Sequence, residues 1–352
     1  MKRQKKGGAK VSVIVLTFNS VSKLGGFFNR VLTGLSNIKY DNVDIVFVDN
    51  NSQDNTVDYL KQYIQRIGFT DNVKILRLGK NYGWAGGNNR GALMCKDSDY
   101  LMFLNDDAVL EPGALNELVN SLETDTSIGA AQPLIVNLDG TYICGFDLGL
   151  GGFACPKIYN STDGHQEIME VFFTMGSALI TRTNLFFKLG MFDEDYFYWY
   201  DDVDYCWRVR LAGFKVACIP SAVVHHYGSA TLGKDNPKLY YYWVRNNLWT
   251  CTKNYDWRNL ILTTPIRVGE MLIGGLGHNL LLKNALGAKS AIKGFLDGII
   301  GLSTSLHKRL YVKSIREVDD AKVIKFMNPR VDVELLIGWL LRRLRKRKRI
   351  RT

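Results

Sequence analysis

At 352 residues, with 46% hydrophobic and 22% charged side chains, the chain can hold one large domain or two smaller ones, and its composition excludes a disordered protein. Its formal charge of +11 is concentrated at the ends, in Lys2, Arg3, Lys5, Lys6 and Lys10 and in eight Lys or Arg between Arg342 and Arg351. Basic ends on a nearly neutral body point to an anionic surface, lipid or nucleic acid, although the N-terminal cluster alone reads better as a solvated tail.

From residue 11 to 104 strand-like runs alternate with amphipathic stretches: VSVIVL and 21–35, VDIVFV and 54–66, VKILRL and 84–95, and finally YLMFL. This βαβα rhythm predicts a mostly parallel sheet covered by helices on both faces, with the loops at the strand exits converging on one crevice. Those loops carry Thr17-Phe18-Asn19, the run Asp49 to Asp54, and the run Asn81 to Gly91. Asp49 is suited to accept a hydrogen bond from a pyrimidine imide N–H or a ribose hydroxyl. Asp54 reads as the N-cap of the following helix. Gly83, Gly86 and Gly87 let backbone approach a ligand just before a helix N-terminus, which favours anions. The buried run Tyr100 to Leu104 ends in Asn105, Asp106 and Asp107. Adjacent carboxylates at such a strand end suit a hard divalent cation; the alternative is an ordinary turn.

Farther along, Glu111-Pro112-Gly113 opens a helix and 128–136 is a strand candidate. The Gly-rich, aromatic stretch 140–160 reads as a hairpin or loop over the site. Thr174 to Ile180 reads as a strand. Helical periodicity begins at about Val203, which puts Asp201 and Asp202 at a helix N-terminus, where the dipole favours the ionised carboxylate; plain N-capping is the alternative. Asp204 is spaced to pair with Arg208. His225 and His226 alternate to opposite faces of a strand.

The segments VSVIVLTFNS, VFVDNNSQDNT, NYGWAGGNNRGA, YLMFLNDDAVLEPGAL, LGMFDEDYFYWYDDVDYCWRVRLAGF and VVHHYGSAT resemble, in order and spacing, the motif series of the family 2 inverting glycosyltransferases, most of all the rhamnosyltransferase-like branch. The resemblance covers roughly residues 11 to 250 and implies the GT-A fold, a Rossmann-like sheet with helices on both faces. It also implies a nucleotide-sugar donor (dTDP-, UDP- or GDP-linked), a glycan or lipid-linked acceptor and a divalent metal, Mg²⁺ or Mn²⁺. By resemblance Thr17, Asn19 and Asp49 contact the nucleoside, with Asn81, Gly83 and Asn88 lining the same pocket. Asp107 matches the metal carboxylate, and Asn105 stands where many members have the first Asp of the motif. Asp106, between them, is assigned to the donor site or is a solvated neighbour. Gly176 lies close to the donor sugar. Asp202 matches the catalytic base, with Asp201 in the place of the family's usual Glu. His226 matches a histidine near the metal and diphosphate. Arg245 is placed to reach the diphosphate or, equally well, to pack on its aromatic neighbours.

Residues 257 to 312 are apolar but interrupted by Arg267, Glu270, Lys283, Lys293 and Asp297, which suits helices on a membrane surface or packed on the catalytic domain. No run of about 18 predominantly apolar residues is expected to span a membrane, and no signal peptide is expected. Val333, Leu336, Ile337, Leu340, Leu341 and Leu344 form one helical stripe ahead of the basic tail, expected to hold the protein peripherally on the cytoplasmic membrane face. Nucleic acid is not expected as a partner, for want of a reading module. Cys95, Cys144, Cys155, Cys206, Cys218 and Cys251, without CxxC spacing, read as reduced core residues. The expected layout is a basic tail over 1–10, a catalytic domain over 11–236, a helical region over 237–330 and a basic amphipathic end over 331–352. The rival readings are a non-catalytic nucleotide-sugar-binding scaffold protein and a transferase acting directly on a polyprenyl phosphate.

Overall fold

A computed structural model describes residues 8–67, 72–159, 167–228, 236–281 and 283–333. The chain separates into two compact units. The first comprises residues up to 145, 157–210 and 214–233; the second comprises 146–156, 211–213 and the chain from 234 onward.

The first unit begins as the sequence pattern dictates. β1 (Val11–Thr17), α1 (Ser20–Leu24), α2 (Gly26–Ser36), β2 (Val43–Asp49), α3 (Thr56–Ile67), β3 (Val73–Arg77), α4 (Gly83–Leu93) and β4 (Tyr100–Asn105) alternate strand and helix. There follow β5 (Ala108–Leu110), α5 (Ala114–Thr124), β6 (Ile128–Asn137), β7 (Tyr142–Leu148), β8 (Ala154–Tyr159), β9 (Met169–Glu170), β10 (Ala178–Arg182), α6 (Thr183–Lys188), α7 (Asp201–Leu211) and β11 (Lys215–His226). The main sheet runs β3-β2-β1-β4-β10-β6-β11-β5. Pairing is parallel from β3 to β4 and between β6 and β11, and antiparallel where β10 meets β4 and β6 and where β5 meets β11. β1 and β4 are buried on both faces, which their uninterrupted apolar runs require. α2 covers one face with Phe28, Val31, Leu32 and Leu35, and α5 with Leu115, Leu118 and Leu122.

Register sets the strand exits side by side. Thr17 pairs with Asp49, Asp49 with Arg77, and Leu16 with Asn105. Two expectations change and one is refined. The strand expected at 174–180 starts only at Ala178, leaving 174–177 outside it. The stretch 140–160, expected as a hairpin or loop over the site, contains the hairpin of β7 and β8, of which residues 146–156 belong to the second unit. Cys144 and Cys218 form a disulfide with a Cα–Cα distance of 5.4 Å, so not all six cysteines are free thiols. The pattern missed this because β7 and β11 are distant in sequence yet both flank β6.

The second unit is helical: α8 (Lys238–Asn254), α9 (Trp257–Glu270), a π-helical stretch Met271–Gly277, α10 (His278–Leu281), α11 (Ala285–Ile300), α12 (Leu302–Ile315), α13 (Asp320–Ile324) and α14 (Pro329–Val333). Its 146–156 segment is fastened by Asp332, whose carboxylate accepts the N–H groups of Leu150 (2.8 Å) and Gly151 (3.1 Å), and by the Tyr255 hydroxyl, which donates to Leu150 O at 2.8 Å. Trp257–Leu280 forms a continuous 24-residue helix, the one helix among the described residues long and apolar enough to cross a membrane, and 33% of its apolar window is buried. The sequence reading passed over it because Arg267 and Glu270 interrupt the run. The stripe from Leu336 to Leu344 and both basic ends apart from Lys10 lie outside the described residues.

Candidate active site

Thr17, at the end of β1, and Asp49, at the end of β2, are wholly buried neighbours, with Thr17 Oγ1 donating to Asp49 Oδ1 at 3.5 Å. The other Asp49 oxygen accepts the Ser52 N–H at 3.1 Å, and Ser52 Oγ accepts the Asn19 N–H at 2.8 Å. Asn19 sits in the left-handed region at φ 54°, which a short polar side chain tolerates, and its Oδ1 accepts the Gln53 N–H at 2.7 Å. Thr17, Asn19 and Asp49 thus form one bonded knot, with Asp49 directed inward. Asp54 accepts the Thr56 N–H at 3.0 Å, the expected cap at the start of α3.

Asn50, which the sequence did not single out, ties this knot to the glycine-rich loop. Its Oδ1 accepts the Tyr82 N–H at 2.9 Å, while its Nδ2 donates to Asn81 Oδ1 and to Gly83 O, both at 3.0 Å. Asn81 Oδ1 also accepts the Gly83 N–H at 2.8 Å. Asn88 is buried, with Nδ2 donating to Trp84 O and Oδ1 lacking a hydrogen-bond partner. The loop glycines do more packing than the sequence suggested. A Cβ at Gly87 would lie 2.3 Å from Leu16, so this glycine lets α4 lie flush on β1. Gly83 is strictly constrained, with φ +74° and a Cβ position 2.3 Å from Phe197 O.

β5 and β11 pair with Ala108 opposite His226, and the Asp107 carbonyl accepts the Tyr227 N–H at 2.9 Å. This ladder brings His226 Nε2 to 3.2 Å from Asp107 Oδ1, with both side chains buried. The contact lacks hydrogen-bond geometry, so Asp107 Oδ1 is a buried polar atom without a hydrogen-bond partner, as is the other ring nitrogen, His226 Nδ1. His225 faces away and pairs with Glu111 at 2.9 Å. Asp106 is half-buried and takes the Ser20 hydroxyl, so it is a bonded member of the cluster and not a solvated neighbour. Loss of solvation, reinforced by the charge of Asp107, pushes its carboxyl up to about 7.

The acidic pair opens α7. Asp202 Oδ2 accepts the Gly176 N–H at 2.9 Å and Oδ1 accepts the Val203 N–H at 2.8 Å. Burial pushes its carboxyl up to about 6, against the opposing pull of those amides. Asp201 is raised as well, by burial and by the neighbouring charge of Asp202. Gly176, one residue before Ser177, whose carbonyl accepts the Asn105 N–H at 2.9 Å, therefore links Asp202 to the end of β4. Trp84 spans the same junction. Its Nε1 donates to Asn105 Oδ1 at 2.9 Å, and its ring lies where a Cβ on Gly176 would be, 2.9 Å away.

Residues 12–187, half of the chain, match the model of glycosyl transferase family 2. The chain belongs to that family. It is 29% identical over 249 residues to N-acetylglucosaminyl-diphospho-decaprenol L-rhamnosyltransferase of Mycobacterium tuberculosis, covering 63% of this chain and 78% of that protein. It is 24% identical over 312 residues to dTDP-rhamnosyl transferase RfbF of Shigella flexneri, covering 84% of this chain and 97% of RfbF. Among solved structures, GalNAc-T7 with UDP, GalNAc and Mn²⁺ superposes with a TM-score of 0.60 at 15% identity, covering 87% of this chain and 58% of that one, which shows the shared GT-A fold. This family 2 glycosyltransferase is a rhamnosyltransferase-like member that uses a nucleotide-sugar donor.

The donor set at the end of β4 fits a divalent metal in part. Asp107 and His226 supply an oxygen and a nitrogen beside each other, and the unsatisfied Asp107 Oδ1 is a buried anionic atom that a cation would complement. Among the described residues no cluster of three such side chains exists, so further ligands would come from the donor's phosphates. Asn105 holds Trp84, which accounts for its place in the motif without a metal role. Arg245 lies on α8 in the second unit, with its guanidinium 4.4 Å from the Trp249 ring centroid and Nε donating to Asn246 Oδ1 at 2.8 Å. The stacking account of Arg245 is the arrangement present.

Two features at the family 2 site escaped the sequence. Asn89 and Arg90 on α4 clasp the loop before α7: Arg90 pairs with Glu194 at 3.0 Å, and Asn89 Nδ2 donates to Phe192 O at 2.9 Å. That loop holds Met191, Phe197, Trp199 and Tyr200 at positive φ, and Phe197 O accepts the Trp84 N–H at 2.9 Å. Four such non-glycine residues just ahead of the acidic pair mark stored backbone strain.

Proposed function

We propose that this enzyme transfers a rhamnosyl or related deoxyhexosyl group from a dTDP-linked donor to a lipid-linked glycan, with inversion, at the cytoplasmic face of the membrane. The donor and acceptor classes follow the names of the relatives. The mechanism is carried by one observation: Asp202 is held by the Gly176 amide on the turn that joins the end of β4, where Asp107 and His226 stand.

In this reading Asp202 takes the proton from the acceptor hydroxyl as that oxygen attacks the anomeric carbon, and the nucleoside diphosphate leaves from the opposite side. Its two oxygens each accept one backbone N–H, which fixes the carboxylate and leaves lone pairs for the incoming proton. Asp107 and His226 would hold a divalent cation, whose charge would stabilise the departing diphosphate. Thr17, Asn19, Asn81 and Asn88 would line the nucleoside pocket, and Asp49 would order it from beneath, through Ser52.

The test is a thermal-shift and donor-hydrolysis panel with dTDP-, UDP- and GDP-sugars, each with Mn²⁺, Mg²⁺ or chelator. Metal-dependent stabilisation by the dTDP donor with slow sugar release is the expected result, and Asp107→Ala removes the metal dependence. Stabilisation unaffected by chelator sinks the metal assignment; stabilisation by none of the donors sinks the transferase mechanism.

A further inference from the structure

The second unit has inverted polarity. Asn246, Asn247, Asn254, Arg267, Glu270 and Asn279 are at most 2% exposed inside it, while Ile261, Leu262, Leu286, Ile300 and Leu310 are each more than 60% exposed. A helix on a water-soluble body shows the reverse.

α11 makes the inversion plain. Its buried positions are Gly287, Ala288, Ala291, Gly294 and Gly298, and its outward positions include Leu286, Ile292, Phe295, Leu296, Ile299 and Ile300. The small face permits close backbone approach to α8: a Cβ at Gly294 would fall 2.5 Å from the Tyr241 carbonyl oxygen, and Trp249 Nε1 donates to Gly298 O at 2.8 Å. Small and polar residues at helix contacts, with large apolar side chains outside, is the arrangement that hydrocarbon surroundings favour.

The charge on these helices selects the kind of surface. Residues 257–315 contain eight Lys or Arg and two acids, Glu270 and Asp297. Glu270 is buried, and Asp297 is taken by Lys293 at 2.5 Å and the Tyr241 hydroxyl at 2.9 Å. Arg258, Lys283, Lys289 and Lys313 are exposed, so the charge bordering the apolar face is cationic.

We propose that the outward face of α9, α11 and α12 is a lipid-docking surface that seats in the headgroup–acyl boundary of an anionic bilayer. It deepens the membrane-face part of the function proposed above and names the contacting helices, independently of the basic tail. α11 and α12, at 16 and 14 residues, are shorter than the roughly 20 residues a spanning helix needs, which favours helices lying in the membrane plane over ones crossing it.

The experiment floats the full-length protein with vesicles of phosphatidylglycerol and phosphatidylethanolamine, or of phosphatidylcholine alone, at low and high salt. Native protein is expected to float with anionic vesicles and to stay bound at high salt. Leu286→Glu/Leu296→Glu/Ile300→Glu, all at exposed positions, is expected to cut the bound fraction by about tenfold or more, with an unchanged circular dichroism spectrum and unchanged thermal stabilisation by donor. A variant with Gln at the eight basic positions from Arg342 to Arg351 is expected still to float at high salt. The proposal is overturned if the triple-Glu variant floats like native, if neutralising the tail alone abolishes flotation, or if the triple variant changes oligomeric state in gel filtration while vesicle binding persists. A transferase failure appears separately, as absent donor stabilisation in the native protein.

Discussion

At the residue scale the proposed mechanism rests on Asp202 being both anchored and basic. Asn in its place keeps the shape and can accept one of the two backbone N–H groups that Asp202 holds, but it cannot take a proton. Asp202→Asn is therefore expected to lower transfer by about 10²–10⁴-fold and to leave donor binding, read by thermal shift, within about twofold of native. Weak donor binding by a folded mutant would count against the assigned role. The pH dependence has a definite sign. As the proposed base Asp202 works when ionised, and burial pushes its carboxyl up to about 6. Transfer should thus fall roughly tenfold per unit as pH drops below that value, whereas an ordinary Asp would hold the rate to near pH 4. A pH–rate profile flat down to pH 5 would show that the limiting base is not a carboxyl raised by burial.

At the scale of elements, α4 couples the two halves of the site. Its start is set by Asn50 and Asn81, its body lies on β1 through Gly87, and Asn89 and Arg90 clasp the strained loop before α7. Gly83→Ala would force a Cβ onto a left-handed backbone and into the Phe197 carbonyl. It is expected to cost roughly 2 kcal/mol or more in urea unfolding, with a larger relative loss of transfer than of donor binding. Wild-type stability would show that the loop yields freely. These elements also show how far the sequence could be read. The strand runs and their exits were legible because a doubly covered strand must be apolar throughout and must end in polar residues. The His226–Asp107 meeting needed the β5–β11 register, which no local pattern encodes, so only the family resemblance pointed to it. Asn50 was indistinguishable from Asn51 beside it, and the Arg90–Glu194 clasp spans about a hundred residues. Gly87 was legible as glycine, yet the sequence does not separate packing against a strand from approach to a ligand.

At the scale of the whole molecule, the two units bury opposite kinds of side chain, as the proposed lipid-docking surface requires. The first unit hides leucine and valine; the helical unit hides asparagine and small residues and shows leucine and isoleucine. The same aliphatic periodicity therefore carries opposite meanings in the two units, and the boundary was harder to read because 146–156 and 211–213 belong to the helical unit from within the catalytic sequence. In the first unit a further long-range tie, Cys144–Cys218, closes a sequence separation of 74 across the strands that flank β6. Both cysteines are buried, which shields the bond from soluble thiols. Closing a loop of that length restricts the unfolded chain by about 4 kcal/mol in the chain-entropy model, while the folded sheet keeps its hydrogen bonds without it. Denaturation under non-reducing conditions should accordingly expose four alkylatable thiols by mass spectrometry, with six after reduction. Cys144→Ala/Cys218→Ala should remain folded and bind donor, but unfold at lower urea by an amount corresponding to a few kcal/mol. Six reactive thiols without reductant would show that the pair is a packed dithiol, and the double variant would then lose only its packing contribution.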